Sequence, residues 1–169
     1  MRHAIRARQW FVFVLAIGAS GSLPDIGLPI DGLNPANVRD TFDEIHSGHA
    51  HEAIDLPAPK GTPVHAVVSG IIRKLFLSKP GGNTIYEFDD TGAYCYYYAH
   101  LDRYAEGLRE GMKVGRGEVI GFVGSTGNAD PAAPHLHLAM FELGPEKLWW
   151  KGKALNPYPA LFAALKRAK

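Results

Sequence analysis

Thr84-Ile85-Tyr86-Glu87-Phe88, then Asp89-Asp90-Thr91-Gly92, then Tyr94-Cys95-Tyr96-Tyr97-Tyr98-Ala99-His100 is the stretch that decides the fold. Two runs of β-branched and aromatic residues flank a four-residue segment of Asp, Thr and Gly, the composition of a hairpin turn between antiparallel strands. The same pattern extends in both directions. Val64 to Val68, Gly70 to Leu77, Val119 to Val123 and Leu136 to Phe141 read as further strands separated by Gly-rich or Pro-rich turns, and Pro63 suits an edge or a strand start. No long amphipathic helical pattern interrupts Ile54 to Phe141. The expected fold is therefore mainly β: a compact antiparallel, sandwich-like sheet in one domain, with short flanking helices at both ends.

Asn34-Pro35 supplies an N-cap and a first-turn proline, which predicts a short helix running to about Ile45, broken by Ser47-Gly48-His49-Ala50. Asn156-Pro157-Tyr158-Pro159 followed by Ala160 to Lys169 predicts a short surface helix, with Trp149 and Trp150 clamping that tail. Gly61-Thr62-Pro63-Val64 and Gly111-Met112-Lys113-Val114 echo each other as turns that feed a strand, where glycine allows sharp corners.

The chain has 169 residues, 46% hydrophobic and 21% charged, which suits one ordinary core and argues against disorder. Arg2, Arg6 and Arg8 precede an apolar block from Trp10 to Ala19 and the small residues Ser20, Gly21 and Ser22, the layout of a secretory signal. The alternative is an uncleaved anchor, but ten apolar residues fall short of the roughly 20 that span a bilayer as a helix. Small residues place cleavage after Gly18 or after Ser20. The expected organisation is signal or short anchor at 1–20, an N-terminal extension at 21–50, a catalytic-type domain at 51–145 and a packed tail at 146–169. Without the three arginines, 15 basic residues face 17 acidic ones, a balance of −2 that makes electrostatic capture of nucleic acid improbable. Cys95 is the single cysteine, so no intramolecular disulfide is expected.

Chemistry concentrates in three histidine-bearing segments: His51-Glu52-Ala53-Ile54-Asp55, Tyr97-Tyr98-Ala99-His100-Leu101 and His135-Leu136-His137. Residues two or four apart on a strand point to one side, so His51 with Asp55, and His135 with His137, would each present two groups to one cleft. Three His or carboxylate ligands and an open fourth position are what a hydrolytic zinc site needs. The helical zinc-protease pattern does not fit, because it requires His at position 55 and a helix that Leu56-Pro57-Ala58-Pro59 cannot continue. On a strand Glu52 would point away from the ligands. A lipoyl-like binding module lacks its lysine at a tight hairpin tip.

The ordered set His-x-x-x-Asp-Leu-x-Ala-Pro-x-Gly-Thr-Pro-Val (His51 to Val64), Tyr-x-His-Leu (Tyr98 to Leu101), Gly-x-x-Gly-x-x-Gly-Asn (Gly121 to Asn128) and Pro134-His135-Leu136-His137 resembles the lysostaphin and LytM type of zinc endopeptidase, over His51 to Phe141. Those enzymes cleave the peptide part of bacterial peptidoglycan. The resemblance implies one Zn²⁺ per chain held by His51, Asp55 and His137, and a catalytic pair formed by His100 and His135, their individual roles open. It implies a peptidoglycan peptide substrate, action in the periplasm or cell envelope, and a regulatory envelope protein as a candidate partner. Ala53 stands where the family usually has Gly. His49 is read as a rim histidine, and His46 and His65 as structural. The rival from another class is a non-catalytic envelope protein of the same fold that binds peptidoglycan or activates another hydrolase. The presence of all five site residues argues against it.

Overall fold

The computed structural model describes residues 24–46 and 48–168. The signal or anchor segment at 1–20 lies outside them, as does Ser47 of the expected break at 47–50. Among the described residues no helix is long and apolar enough to cross a membrane.

The architecture is a mainly antiparallel β-sheet, as the alternating pattern implies. A two-stranded ribbon pairs β1 (Ile45–His46) with β2 (His49–Ala50). The remaining strands are β3 (Ile54–Pro57), β4 (Pro63–His65), β5 (Gly70–Ser78), β6 (Gly82–Asp89), β7 (Tyr94–Tyr104), β8 (Lys113–Val114), β9 (Val119–Val123), β10 (His135–Leu143) and β11 (Gly152–Leu155). They form one sheet in the order β11-β10-β7-β6-β5-β8, with β3 on β10, and β9 bridging β4 and β7. The Asp89–Gly92 turn closes the β6–β7 hairpin: Asp89 accepts from the Thr91 side chain and from the Tyr94 amide, and Gly92 takes the left-handed φ of 63° that the turn demands.

One face of this sheet makes the core. Alternation on β7 sends Tyr96 and Tyr98 inward, and on β10 it sends Leu136, Leu138 and Met140 inward, to meet Ile72, Ile85, Val64 and Ile120. The helix α1 (Tyr158–Arg167) docks on the same core through Ala160, Leu161, Ala164 and Leu165. Ile26 and Ile30 also join it. The opposite face carries His137, Tyr97 and Tyr86, and it is here that the site forms.

A fork in the sheet creates that site. Residues Tyr94 to Ala99 of β7 pair with β10, but Leu101 to Tyr104 pair with β9. At the changeover His100 adopts φ 59°, a left-handed conformation that costs a non-glycine residue about 1–3 kcal/mol. The change of partner opens a cleft at the ends of β7 and β10.

Four local expectations are corrected. The helix expected from Asn34 to Ile45 is a three-residue 3-10 turn, Pro35–Asn37; Asn34 does cap it, accepting from the Ala36 amide at 2.9 Å. It stops because Val38 turns extended (φ −88°, ψ 115°) and is buried, drawing the chain along the core. The strand expected over Val64–Val68 ends at His65, after a register shift against β9, and Ala66 bonds instead to the Glu118 carbonyl. His51 is not on a strand with Asp55: β3 begins at Ile54, and Glu52 has φ 53°. Trp149 and Trp150 do not clamp the tail helix; Trp149 packs on Tyr86 and Phe76, in an apolar cluster separate from the one that receives α1. The strand β11 was not expected, because Gly152-Lys153-Ala154-Leu155 has no clear alternation.

Candidate metal centre

The backbone delivers the first ligand pair by a bend rather than by strand alternation. His51 N–H donates to the Glu44 carbonyl and Glu52 N–H to the Phe42 carbonyl, which fixes the segment just before β3. The left-handed Glu52 then lets the chain turn so that His51 and Asp55 point to one place. Asp55 faces His137 directly across the β3–β10 ladder, and His137 faces Ala99 across the β10–β7 ladder. Strand pairing therefore brings the two distant segments together.

Among the described residues, His51, Asp55 and His137 form one group whose donor atoms converge closely enough to hold a metal ion. His51 Nε2 lies 3.2 Å from Asp55 Oδ1 and 3.1 Å from His137 Nδ1, and His137 Nδ1 lies 3.1 Å from Asp55 Oδ1. Bonds of about 2.0–2.1 Å at tetrahedral angles put neighbouring ligand atoms about 3.3 Å apart, so this triangle has nearly the edge of a tetrahedral zinc site. Its donor chemistry also suits a cation. His51 Nδ1–H donates to the Thr41 carbonyl at 3.1 Å, which leaves a lone pair on Nε2 when the ring is neutral. That lone pair and the Asp55 carboxylate point at one spot, and positive charge there relieves their repulsion.

Asp55 is tuned for this. Burial pushes its carboxyl up, but the hydrogen bond from His137 and the charges of His137, His51 and His135 outweigh burial and hold its pKa below the ordinary value. Thr41 braces both ligands: besides its carbonyl on His51, its buried hydroxyl accepts from the Asp55 amide at 3.2 Å and donates to the Ala53 carbonyl at 3.3 Å. Sequence reasoning missed this residue, since it lies ten positions before His51 in a segment read as helix. Ala53 is fully buried beside it and displaces no ligand.

His100 and His135 stand next to the triangle. Their ring centroids are 4.9 Å apart, and His100 is 5.6 Å from His137. Each is tethered through Nδ1 to a backbone carbonyl, His100 to Thr126 at 2.8 Å and His135 to Ala133 at 2.9 Å. Both Nε2 atoms are thus free of their own loops, and His135 Nε2 lies 3.8 Å from Asp55 Oδ1. Burial lowers the pKa of His100, the Thr126 carbonyl opposes this, and His137 and His135 add to the lowering, so the ring favours its neutral form. All five histidine and aspartate residues line one cleft of about 500 Å³ with Tyr97 as a wall. His49 is exposed on β2, and His65 is held away from the cleft by the Gly117 carbonyl at 2.9 Å.

Residues 49–157 match the model of peptidase family M23. The chain belongs to peptidase family M23. Among curated M23-type relatives it is 35% identical, over 118 residues, to the L-Ala–D-Glu endopeptidase of Bacillus subtilis, a match covering 67% of this chain and 35% of that protein. It is 37% identical over 92 residues to lysostaphin of Staphylococcus simulans, covering 54% of this chain and 18% of that protein. The chain thus spans about a third or less of these curated relatives. The catalytic domain of Staphylococcus simulans lysostaphin superposes with a TM-score of 0.58 at 30% identity, covering 82% of this chain and 89% of the domain. A LytM-type protein from Ruminococcus gnavus gives a TM-score of 0.67 at 27% identity, covering 84% of this chain and 59% of that one. The antiparallel sheet with its fork is therefore the M23 peptidase fold.

Proposed function

We propose that this chain is a zinc metalloendopeptidase that hydrolyses peptide bonds in peptidoglycan stem peptides or cross-links, acting outside the cytoplasm. The observation that carries the reading is the triangle of His51 Nε2, Asp55 Oδ1 and His137 Nδ1 at 3.1–3.2 Å, with two more imidazoles beside it. These three atoms would hold one Zn²⁺, leaving it a net charge of about +1 and an open position toward the cleft. When bound, zinc would polarise the scissile carbonyl and lower the pKa of a water toward neutrality. The residues of the chain do the rest. His100 and His135 turn Nε2 toward the cleft, so a neutral ring can accept the proton released by the attacking water, and a ring that carries a proton on both nitrogens can donate to the developing oxyanion. The Thr126 and Ala133 carbonyls keep those two rings oriented, as the Thr41 carbonyl does for His51. Substrate class follows from the endopeptidases named above. Export is supported by the basic, apolar and small-residue order of Arg2 to Ser22.

The test joins metal content to product analysis. Purified protein is expected to carry about one zinc per chain and to release defined peptides from peptidoglycan, identified by mass spectrometry. His137→Ala should keep the wild-type circular dichroism spectrum yet lose both zinc and cleavage, because catalytic metal is not part of the core. A His137→Ala protein that retains stoichiometric zinc and full cleavage overturns the ligand set; wild-type protein with zinc but no cleavage overturns the activity.

A further inference from the structure

An unbroken line of aromatic rings leaves the cleft along the outer face of the sheet. Tyr97 touches His137 with ring centroids 5.9 Å apart, Tyr86 lies 4.7 Å from Tyr97, Trp149 lies 4.7 Å from Tyr86, and Trp150 lies 5.2 Å from Trp149. Tyr86 and Tyr97 are direct cross-strand partners in the β6–β7 ladder, so the line is built into the sheet. At its far end Trp150 is 62% exposed, an unusual position for the largest apolar side chain. Along the line lies a second depression of about 290 Å³, lined by Tyr86, Trp149, Trp150, Glu52 and Lys151 among others. Tyr86 lines this depression and Tyr97 lines the cleft, so the two adjoin through the 4.7 Å contact between those rings.

We propose that this aromatic track is a binding site for the sugar strand of the substrate, a proposal that rests on the peptidoglycan reading above. Three properties select a sugar as occupant. The floor is made of flat aromatic rings, whose negative faces attract the polarised C–H edges of a pyranose. The rim supplies one carboxylate and one ammonium group, an acceptor and a donor set suited to hydroxyl and acetamido groups rather than to a purely apolar partner. The track is also continuous with the cleft, and in peptidoglycan the chain that leads away from a cleaved peptide reaches an amino-sugar strand. Tyr97 would then be shared: it walls the peptide cleft and begins the sugar track.

The probe is a hexamer of β-1,4-linked N-acetylglucosamine, titrated into the full chain by calorimetry. Trp150→Ala should weaken its binding about tenfold, the scale of losing one aromatic contact of about 1.4 kcal/mol, while Trp150→Tyr restores most of it. In cleavage assays Trp150→Ala should raise KM on intact peptidoglycan and leave both kcat and KM on sugar-free cross-linked peptides at wild-type values, with zinc content unchanged. Equal losses on both substrates, or hexamer binding undiminished in Trp150→Ala, overturn the proposal. So does a concentration-dependent dimer seen by sedimentation and abolished in Trp150→Ala, which assigns the face to a second copy. If wild-type protein cleaves neither substrate, the peptidase reading fails on its own; hexamer binding lost in Trp150→Ala then still supports the sugar site, and absence of hexamer binding overturns it.

Discussion

Replacing Glu87 by Gln is expected to flatten the dependence of stability on pH. Glu87 sits on the core face of β6 with no exposure. Its Oε2 accepts a 2.5 Å hydrogen bond from the Tyr98 hydroxyl, whose oxygen in turn accepts from the Val67 amide at 2.9 Å, and its Oε1 has no hydrogen-bond partner among the described residues. Burial drives the carboxyl pKa from 4.5 up to about 8; the bond from Tyr98 and the nearby Val67 amide resist, and Asp89 and Asp90 add to the rise. The folded protein therefore keeps a proton that the unfolded chain loses above pH 4.5. Stability from this group is fully present below pH 4.5 and declines as pH rises through about 8, at up to about 1.4 kcal/mol per pH unit and a few kcal/mol in all. Gln keeps the shape and the acceptor for Tyr98 but cannot ionise, at a cost of about 1–3 kcal/mol for a buried amide N–H without a partner. Urea unfolding followed by fluorescence at intervals from pH 5 to 9 measures both proteins. Protons linked to the cleft histidines cancel in the difference between them. The variant should be less stable at pH 5 and gain on the wild type steadily up to pH 8. Parallel curves across that range would refute the reasoning, because they would mean that Glu87 titrates alike in both states.

Two other substitutions probe the supports of the metal centre. Thr41→Val removes the hydroxyl that accepts from the Asp55 amide, so it should cost about 1–3 kcal/mol in urea unfolding and weaken zinc binding about 10–100-fold against a competing chelator; unchanged zinc affinity would remove Thr41 from the site. His100→Ala should keep zinc at the wild-type ratio and lower kcat by about 100-fold or more, measured on a soluble cross-linked peptide; loss of the metal instead would make His100 a ligand.

The hairpin at Asp89–Gly92 and the strands around it were legible because side-chain alternation and turn chemistry are local properties, written in consecutive residues. The five cleft residues were legible for a different reason, the order of short motifs along the chain, and the structure gathers all of them into one cleft. The way His51 and Asp55 meet was not legible. Spacing of four suggested a shared strand face, whereas a left-handed Glu52 and two amides bonded to Glu44 and Phe42 do the work. Nor did Trp149 and Trp150 announce their partners, since an apolar residue near a helix and one on a sheet face look alike in sequence.

The rings of the site show most clearly why part of it stays hidden. His51, His100 and His135 are each oriented by an Nδ1 bond to a main-chain carbonyl, from Thr41, Thr126 and Ala133. Every residue type carries that acceptor, so no side-chain pattern marks the three positions. What does leave a trace is the backbone needed to place them. Gly82 packs so closely against Thr126 that a Cβ there would lie 2.1 Å from Thr126 Oγ1, and a Cβ on Gly124, just before that loop, would lie 2.4 Å from the Asp102 nitrogen. The glycines around His100 thus hold the loop that aims it: a methyl group at Gly82 would press on Thr126, whose carbonyl orients the ring, and one at Gly124 would press on the main chain of Asp102 and of His100 itself. A motif built from ligands alone records the donors; the aim of those donors is stored in glycines and carbonyls that the fold brings in from elsewhere in the chain.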